Sequence, residues 1–565
     1  MLKCRLVNKE FNDIIQSSTL LQYFLACKAA GVIDNPRSPL SYGERLEALL
    51  KREDAWRTLK PVFETTIKVN HQPHAIYSLT EGAYFLDDDN QKDMHYCHLP
   101  SSPQDNPQWV TIPHHGPGEG SPGIFVNFAI AVYEHDLIIN LISSDIGNQT
   151  DVHRHSLDLV LLKFSTGEYH PLARHPRIHV QRSLSARPET ILEVVGDNLA
   201  LIINDRSMFT AKLFVFDWKT GHERLQHETT ENAYSDLVFV SPEILLVPNL
   251  ILSHFEVWHL PPSHPHPKPP IQILSLKIPT VSPDYSLFDV SCRGAPNPFL
   301  HSMPYLPPRP FISSPENSII IANLHFESLQ GYRNSSYTLI MHRRALLQTI
   351  QRCTSSSLVE QQTDLPNWLA NEDTVHEIAD PDNKSVRFRA QSTLVSMIPH
   401  PRSSPRTRGF PTSQYDFFQV HWAEWGPPIS RWFRVNKTQA EWIMNVTGQR
   451  YAFSVPNPGD RRKWKVSVAD FNSYNFRKNA DMMAQREGEG NNGGSNNEER
   501  TEEAAEEELE RFDHKGVFSE EVHMGFKCVI YHAPDEYDFD GVLMDEERLL
   551  GVKVSTRKTA LKYFP

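Results

Sequence analysis

The sequence predicts a mainly β chain: an irregular, propeller-like β domain preceded by a short helical part. Three observations predict it. From about Phe63 onward, runs of roughly four to eight aliphatic, aromatic and β-branched residues recur between turn residues, and little else has helical spacing. One two-strand unit returns along the chain with recognisable letters. Proline is frequent (42 of 565 residues) while glycine is scarce (25), which suits many short elements joined by stiff connections.

The helical part comes first. Leu6, Val7, Phe11, Ile14 and Ile15 recur at helical steps and place an apolar stripe on one face. After the turn Asp34-Asn35-Pro36, Ser41 and Glu44 have the S-x-x-E spacing of a capping box. Leu46, Leu49, Leu50, Trp56 and Leu59 then mark the apolar stripe of a helix ending near Leu59, just before Pro61.

The β region follows. Ala83–Leu86, Phe125–Val132, Leu137–Ile142, Leu157–Phe164, Leu199–Ile203, Leu213–Trp218, Ile244–Val247, Ile319–Ala322 and Tyr337–His342 read as strands. Leu159–Gly167 (LVLLKFSTG) lies over Leu213–Gly221 (LFVFDWKTG), each preceded by an aliphatic strand. Ile244–Val247 with Phe255–Trp258 is a weaker third copy. A returning two-strand unit fits propeller sheets that bury their faces on their neighbours, about six to eight of them. Ring closure needs strands from both ends of the β region. An irregular sandwich or barrel is the alternative.

Three insertions interrupt the pattern. His259–Pro270 (HLPPSHPHPKPP) reads as a stiff, polyproline-like connector, with an SH3 or WW ligand or metal ligation by His259, His264 and His266 as lesser readings. Arg352–Arg387 reads as a long polar inter-strand loop. Arg486–Arg511 holds ten Glu and three Arg, a net charge of −7, and is expected to be disordered. Phe526–His532 and Leu549–Val554 read as strands again, which makes the acidic run a loop inside the β domain.

Composition narrows the function classes. Lys and Arg total 56 against 69 Asp and Glu, and the net charge of −13 argues against general attraction to nucleic acid or anionic membranes. Local basic groups, Arg402–Gly409 and Arg461-Arg462-Lys463, read as solvated turns. Cys4, Cys27, Cys97, Cys292, Cys353 and Cys528 are scattered without close pairs, which suits a reducing compartment rather than a disulfide framework or zinc site. The opening residues carry charges where a signal peptide needs an unbroken apolar stretch, and the most apolar run, Ile244–Leu252, is much shorter than a membrane helix. The expectation is a cytoplasmic or nuclear protein.

Chemistry-bearing patterns are few, and no cofactor or metal is expected. Asp538-Phe539-Asp540-Gly541-Val542-Leu543-Met544-Asp545 has the letters of the D-x-D-G-x-L-x-D motif of haloacid-dehalogenase-type phosphatases, where the first Asp attacks phosphorus. That chemistry needs an apolar parallel strand before the motif and an α/β domain after it. His532–Tyr537 and the short remaining chain supply neither, so the motif reads as a solvated turn. His153 and His155, two apart on a strand, share a face, but spacing identifies no third metal ligand. Asp87–Asn90 reads as a hairpin tip, and Trp422, Trp425, Trp432, Trp442 and Trp464 as mostly core aromatics. No catalytic residue is assigned.

Cys4-Arg5-Leu6-Val7-Asn8-Lys9-Glu10-Phe11-Asn12-Asp13-Ile14-Ile15 resembles the C-terminal half of the F-box, C-R-x-V-[SCN]-[KR]-x-[FW]-x-x-[IL]. Leu21-Gln22-Tyr23, Ala29–Pro36, Glu44-Arg45-Leu46 through Ala55-Trp56-Arg57, Gly448–Phe453 and Tyr537–Gly551 are similar to a group of fungal F-box proteins with β-rich C-terminal regions. The resemblance implies a non-catalytic adaptor of a Skp–cullin–F-box ubiquitin ligase. Cys4, Arg5, Leu6, Val7, Phe11, Ile14 and Ile15 would meet the Skp-type linker, with cullin beyond it, while the β domain holds an unknown protein substrate. Met1 falls inside the motif, so the F-box looks N-terminally truncated. The implied organisation is partial F-box helices over 1–30, a helical connector over 31–60, the propeller-like domain over 61–485, the acidic loop over 486–512 and closing strands over 513–565. A propeller interaction scaffold outside the ubiquitin system is the alternative function; catalysis by propeller His and Asp side chains is the third.

Overall fold

The computed structural model describes residues 8–69, 77–80, 82–87, 93–113, 115–117, 123–147, 155–205, 209–230, 232–262, 268–330, 334–354, 376–378, 386–388, 418–435, 443–456, 459, 463–480, 509–539, 541–555 and 558–564. Residues 486–508 of the acidic run, Arg402–Gly409, His153, Trp442 and Asp540 lie outside them. The end of the run does not fit the expected disordered loop: Glu510–Phe512 is a strand paired with Val522–Met524, where the side chain of Phe512 is buried.

Three helices open the chain: α1 (Lys9–Ser17), α2 (Thr19–Ala30) and α3 (Tyr42–Thr58). Each begins where a side chain satisfies an end N–H: Asn8 for α1, Ser18 for α2, and the expected Ser41/Glu44 capping box for α3. The α3 stripe divides. Leu49, Trp56 and Leu59 are buried, whereas Leu50, about 100° further round the helix, is exposed.

Seven sheets of four or five strands follow among the described residues. Sheet 1 is Tyr77–Thr80, Ala83–Asp87, Asp93–His98 and Trp109–Pro113. Sheet 2 is Gly123–Ala131, Leu137–Asp145, His155–Lys163 and Arg177–Ser183. Sheet 3 is Glu189–Val195, Asn198–Asp205, Thr210–Asp217 and His222–Thr230. Sheet 4 is Val238–Ser241, Ile244–Asn249, His254–His259 and Ile271–Lys277, with Phe418–Val420 added in parallel at its edge. Sheet 5 is Tyr285–Arg293, Ile319–Ser328, Asn334–His342 and Ser430–Val435. Sheet 6 is Val446–Thr447, Arg450–Pro456, Trp464–Asp470 and Val529–Tyr537. Sheet 7 is Gly541–Met544, Leu549–Ser555 and Lys558–Phe564, completed by Thr65–Lys68 from the start of the β region. The expected closure is therefore made: Thr65 pairs with Tyr563 and Lys68 with Ala560.

The core has the same ring order. Distinct apolar clusters join sheet 1 to 2 through Phe85 and Ile138, and sheet 2 to 3 through Leu159 and Leu201. Val215 and Leu245 join 3 to 4, Leu274 and Leu324 join 4 to 5, and Ile340 and Tyr451 join 5 to 6. Val468 and Met544 join 6 to 7, and Leu550 and Leu79 return from 7 to 1. Among the described residues each sheet shares an apolar cluster with both of its neighbours, which is the physical condition for a closed propeller. The repeat read in the sequence corresponds to the third strands of sheets 2 and 3, and its weaker copy to the second and third strands of sheet 4. Trp422, Trp425 and Trp432 are core residues between sheets 4 and 5. Among the described residues, no helix is long and apolar enough to cross a membrane.

Candidate functional site

The helices are strapped to one end of the propeller, the end where the innermost strands finish. Val32–Asp34 pairs with Phe311–Ser313, part of the long connection 294–318 that leaves the innermost strand of sheet 5. The Tyr23 hydroxyl donates to Asp34 Oδ1 (2.9 Å) and the Pro310 carbonyl (3.1 Å), and Asn35 Nδ2 donates to the carbonyls of Pro307 and Arg309. Arg45 pairs with Asp34 at 2.7 Å. Tyr23, Cys27, Val32, Leu49 and Phe311 form the small core beneath. Gly31 turns α2 into this strap at φ +67°, a left-handed conformation that calls for glycine.

The outward side of the helices carries large apolar side chains among its charged ones. Phe11 and Ile14 share a face of α1 and are 52% and 51% exposed. Leu20 and Phe24, one turn apart on α2, and Tyr42 and Leu50 on α3 are also exposed. The Phe24 and Tyr42 rings lie 6.0 Å apart, and the Arg45 guanidinium sits 5.1 Å from the Tyr42 ring centroid. Six large apolar side chains on three adjoining helices are what a protein-binding patch presents. Of the residues expected to meet a linker, Cys4, Arg5, Leu6 and Val7 lie outside the described residues; Phe11 and Ile14 face solvent; Ile15 is buried. Sequence spacing grouped Ile15 with Phe11 and Ile14, yet a step of one residue turns it to the inner side. Leu20, Phe24 and Tyr42 were missed, although the i, i+4 step of Leu20 and Phe24 is a legible signal.

Connection 294–318 also crosses the mouth of the central channel at this end. Glu134 accepts the N–H groups of His301 (2.6 Å), Leu300 (3.0 Å) and Gly196 (3.2 Å). Asp197 takes His301 at 3.0 Å and Lys219 at 2.6 Å, and Arg309 pairs with Glu546 at 3.5 Å. Burial raises the Glu134 carboxyl above its ordinary range against these donors, and burial pushes His135 down to about 4. A cavity of about 100 Å³ remains beneath, bounded by Tyr133, Arg293, Asn297, Arg309 and Met544. It has room for a few waters, and the chain's own connection lines much of it.

Ser156, His179 and Asp158 approach one another in sheet 2, but Ser156 Oγ (3.0 Å) and Asp158 Oδ1 (2.9 Å) both meet His179 Nδ1. A relay needs nucleophile and carboxylate on opposite ring nitrogens. Asp538 leaves the antiparallel outer strand of sheet 6 and pairs with Lys553, so no parallel strand delivers it as phosphatase chemistry requires. Among the described residues no three His, Cys, Asp or Glu side chains are grouped to hold a metal. The connector 259–270 is described only outside residues 263–267.

No family model matches this chain, and no curated protein matches it. Solved structures give distant likenesses. The crystal structure of BamB from Moraxella catarrhalis is 8% identical, covering 90% of this chain and 99% of that one, with a TM-score of 0.30. Drosophila Semaphorin 1b, extracellular domains 1-2, is 9% identical over 90% of this chain and 87% of that one, with a TM-score of 0.34. The C-terminal WD40 domain of Sif2 is 11% identical over 51% and 85%, with a TM-score of 0.23. The fold assignment rests on the seven sheets and their ring of cores.

Proposed function

We propose that this chain is a protein-interaction scaffold in which the propeller carries a rigid helical platform with large apolar side chains on its outer side. The observation that carries the proposal is the exposed set Phe11, Ile14, Leu20, Phe24, Tyr42 and Leu50 on helices whose inner side is fixed to the propeller. A patch meant only for packing would be covered, and leaving six such side chains in water forgoes their burial energy. A photo-crosslinking residue at position 24 of the full chain tests this in cells. The expected result is a discrete crosslinked protein lost when Phe11 and Ile14 are changed to Asp; crosslinking only to the chain itself, or no crosslink, overturns it.

A narrower reading has one specific observation in its favour. Phe11 and Ile14 belong to the F-box-like segment and remain available, so the partner would be a Skp-type linker with its cullin, and the role that of a ubiquitin-ligase adaptor. Purified linker titrated against the full chain by calorimetry decides it: saturable binding abolished by F11D/I14D supports the adaptor, and no heat of binding rejects it while leaving the broader scaffold standing.

A further inference from the structure

In the cavity beneath connection 294–318 the carboxylates are matched and the cations are not. Each carboxylate of its lining has donors of its own. Glu134 takes the N–H groups of Gly196, Leu300 and His301. Asp545 accepts Arg548 Nη1 at 3.0 Å and the Glu547 N–H at 2.9 Å. Glu546 accepts the Ser313 N–H at 2.8 Å, and its other oxygen lies 3.5 Å from Arg309. That long pair is the only ion pair Arg309 makes among the described residues, and its guanidinium otherwise lies 5.9 Å from the Tyr133 ring centroid. Arg293, the last residue of the innermost strand of sheet 5, lines the same cavity with no hydrogen bond or ion pair among the described residues.

A third guanidinium stands behind the wall. Arg343, the first residue of the helix Arg343–Cys353, is buried, and its Nη1 donates to the carbonyls of Pro296 (2.6 Å) and Pro315 (3.1 Å), both of which line the cavity. Its Nε and Nη2 find no acceptor among the described residues. Nη2 lies against Gly294, between Arg293 and Ala295 of the lining: a Cβ at Gly294 would stand 2.3 Å from it. Glu193 is the carboxyl whose field reaches both Arg293 and Arg343, but no ion pair joins it to either, and its Oε2 has no donor. Burial holds the Glu193 carboxyl above its ordinary range, which weakens it further as a counter-charge. A buried guanidinium with open N–H groups is costly unless something nearby accepts from it or offsets its charge.

We infer that this cavity holds one small tetrahedral oxyanion, phosphate or sulfate, between Arg293 and Arg309, with Arg343 adding its charge from behind Gly294. The guanidinium fork meets oxyanions with paired N–H groups, which is the chemistry these side chains have to spare. Size narrows the ligand: about 100 Å³, the space of roughly three waters, admits a single such ion and excludes a nucleotide or a sugar. The ion would touch the end of a propeller strand on one side and the connection on the other, and so fasten the connection to the ring. The helical platform contributes no group to this site, so the inference stands or falls apart from the function proposed above.

Calorimetry of the full chain in chloride buffer of constant ionic strength, titrated separately with inorganic phosphate, sulfate and acetate, reads the site. Saturable binding of one ion per chain is expected for phosphate, sulfate or both, the tighter of the two being the native occupant, and at least tenfold weaker binding for the planar acetate. R293M should weaken the binding at least tenfold, while R511Q, which removes an exposed and distant guanidinium, should leave it unchanged. Deuterium exchange on the unaltered chain decides the matter without a variant, should R293M not fold: phosphate or sulfate should slow the amides of residues 294–318 and leave those of His222–Thr230, an outermost strand, as they were. No saturable heat with either tetrahedral ion, equal binding of acetate, undiminished binding by folded R293M, or slowing that spares residues 294–318 each overturns the inference.

Discussion

Arg450 and Glu53, 397 residues apart in sequence, form a buried ion pair that locks α3 onto sheet 6. The same guanidinium reaches toward Asp470 (3.5 Å) and lies 5.4 Å from the Trp56 ring centroid. Burial opposes the ionised form of Glu53, but Arg450 and Arg52 outweigh it and hold its carboxyl below the usual range. The helical platform is thus coupled to the ring by charge as well as by apolar packing.

Removing one member of this set leaves two buried carboxylates facing each other. R450M is expected to destabilise the chain by about 3–5 kcal/mol, because buried Asp470 loses the cation it is paired with among the described residues and Glu53 keeps only Arg52. E53Q in the R450M background should recover part of the loss. Urea unfolding of the single and double variants measures this; equal and additive losses would show that the two side chains are not coupled.

Glu134 is the acceptor that holds connection 294–318 over the channel. E134A strands the N–H groups of Leu300, His301 and Gly196, at roughly 1.5–3 kcal/mol for hydrogen bonds to a charged group. Amide exchange at Leu300 and His301 should quicken, with the sheets unchanged. Gly196, at φ +58°, is fixed by the same contact: a Cβ would stand 2.7 Å from Leu300 Cβ, so G196A should loosen the same amides.

Asp236 should leave a signature in the pH dependence of stability. Burial raises its carboxyl most, Glu193 and Asp289 add to that, and the backbone N–H groups of Cys292 and Leu237 only partly oppose them, leaving it pushed up to about 8. A folded value above the unfolded one, about 3.9, means the folded state holds the extra proton between those values. The stabilisation is fully present below about pH 3.9 and is lost as pH rises through about 8. Urea midpoints for D236N at about pH 5, 6, 7 and 8 should fall less steeply than those of the parent, whose slope from this group is at most about 1.4 kcal/mol per pH unit. Parallel curves would show that the carboxyl is ionised throughout.

The strands legible in the sequence are those buried on both faces. Leu137–Ile142, Leu199–Ile203 and Leu213–Trp218 sit second or third in their sheets, where every position is covered and nearly every residue is apolar, Asn140 and Asp217 being the polar exceptions. Innermost strands such as Glu189–Val195 line a polar channel, and outermost ones such as His222–Thr230 are half solvated, so neither gives a continuous apolar signal. Sheets 5 and 6 were obscured because the strands Asn334–His342 and Ser430–Val435, and then Trp464–Asp470 and Val529–Tyr537, are neighbours in space across long insertions. The latch over the channel was illegible for another reason: Glu134, Asp197 and His301 meet only after the ring has formed.

The platform itself is tested by contrasting two of its residues. Leu49 is wholly buried beneath α2 and α3, so L49A should cost about 2–5 kcal/mol through lost burial and the cavity left behind. Phe24 is 40% exposed one helix away, and F24D should cost clearly less than L49A, since its ring keeps part of its surface in water where Leu49 keeps none. A binding partner must see the reverse: L49A, while folded, keeps the outer apolar side chains, whereas F24D puts a charge among them that must be desolvated on contact. Thermal unfolding together with capture of the position-24 crosslinking partner, or of the purified linker, separates the two effects. If F24D unfolded the chain as readily as L49A, the outer face would be part of the core and no platform for another protein.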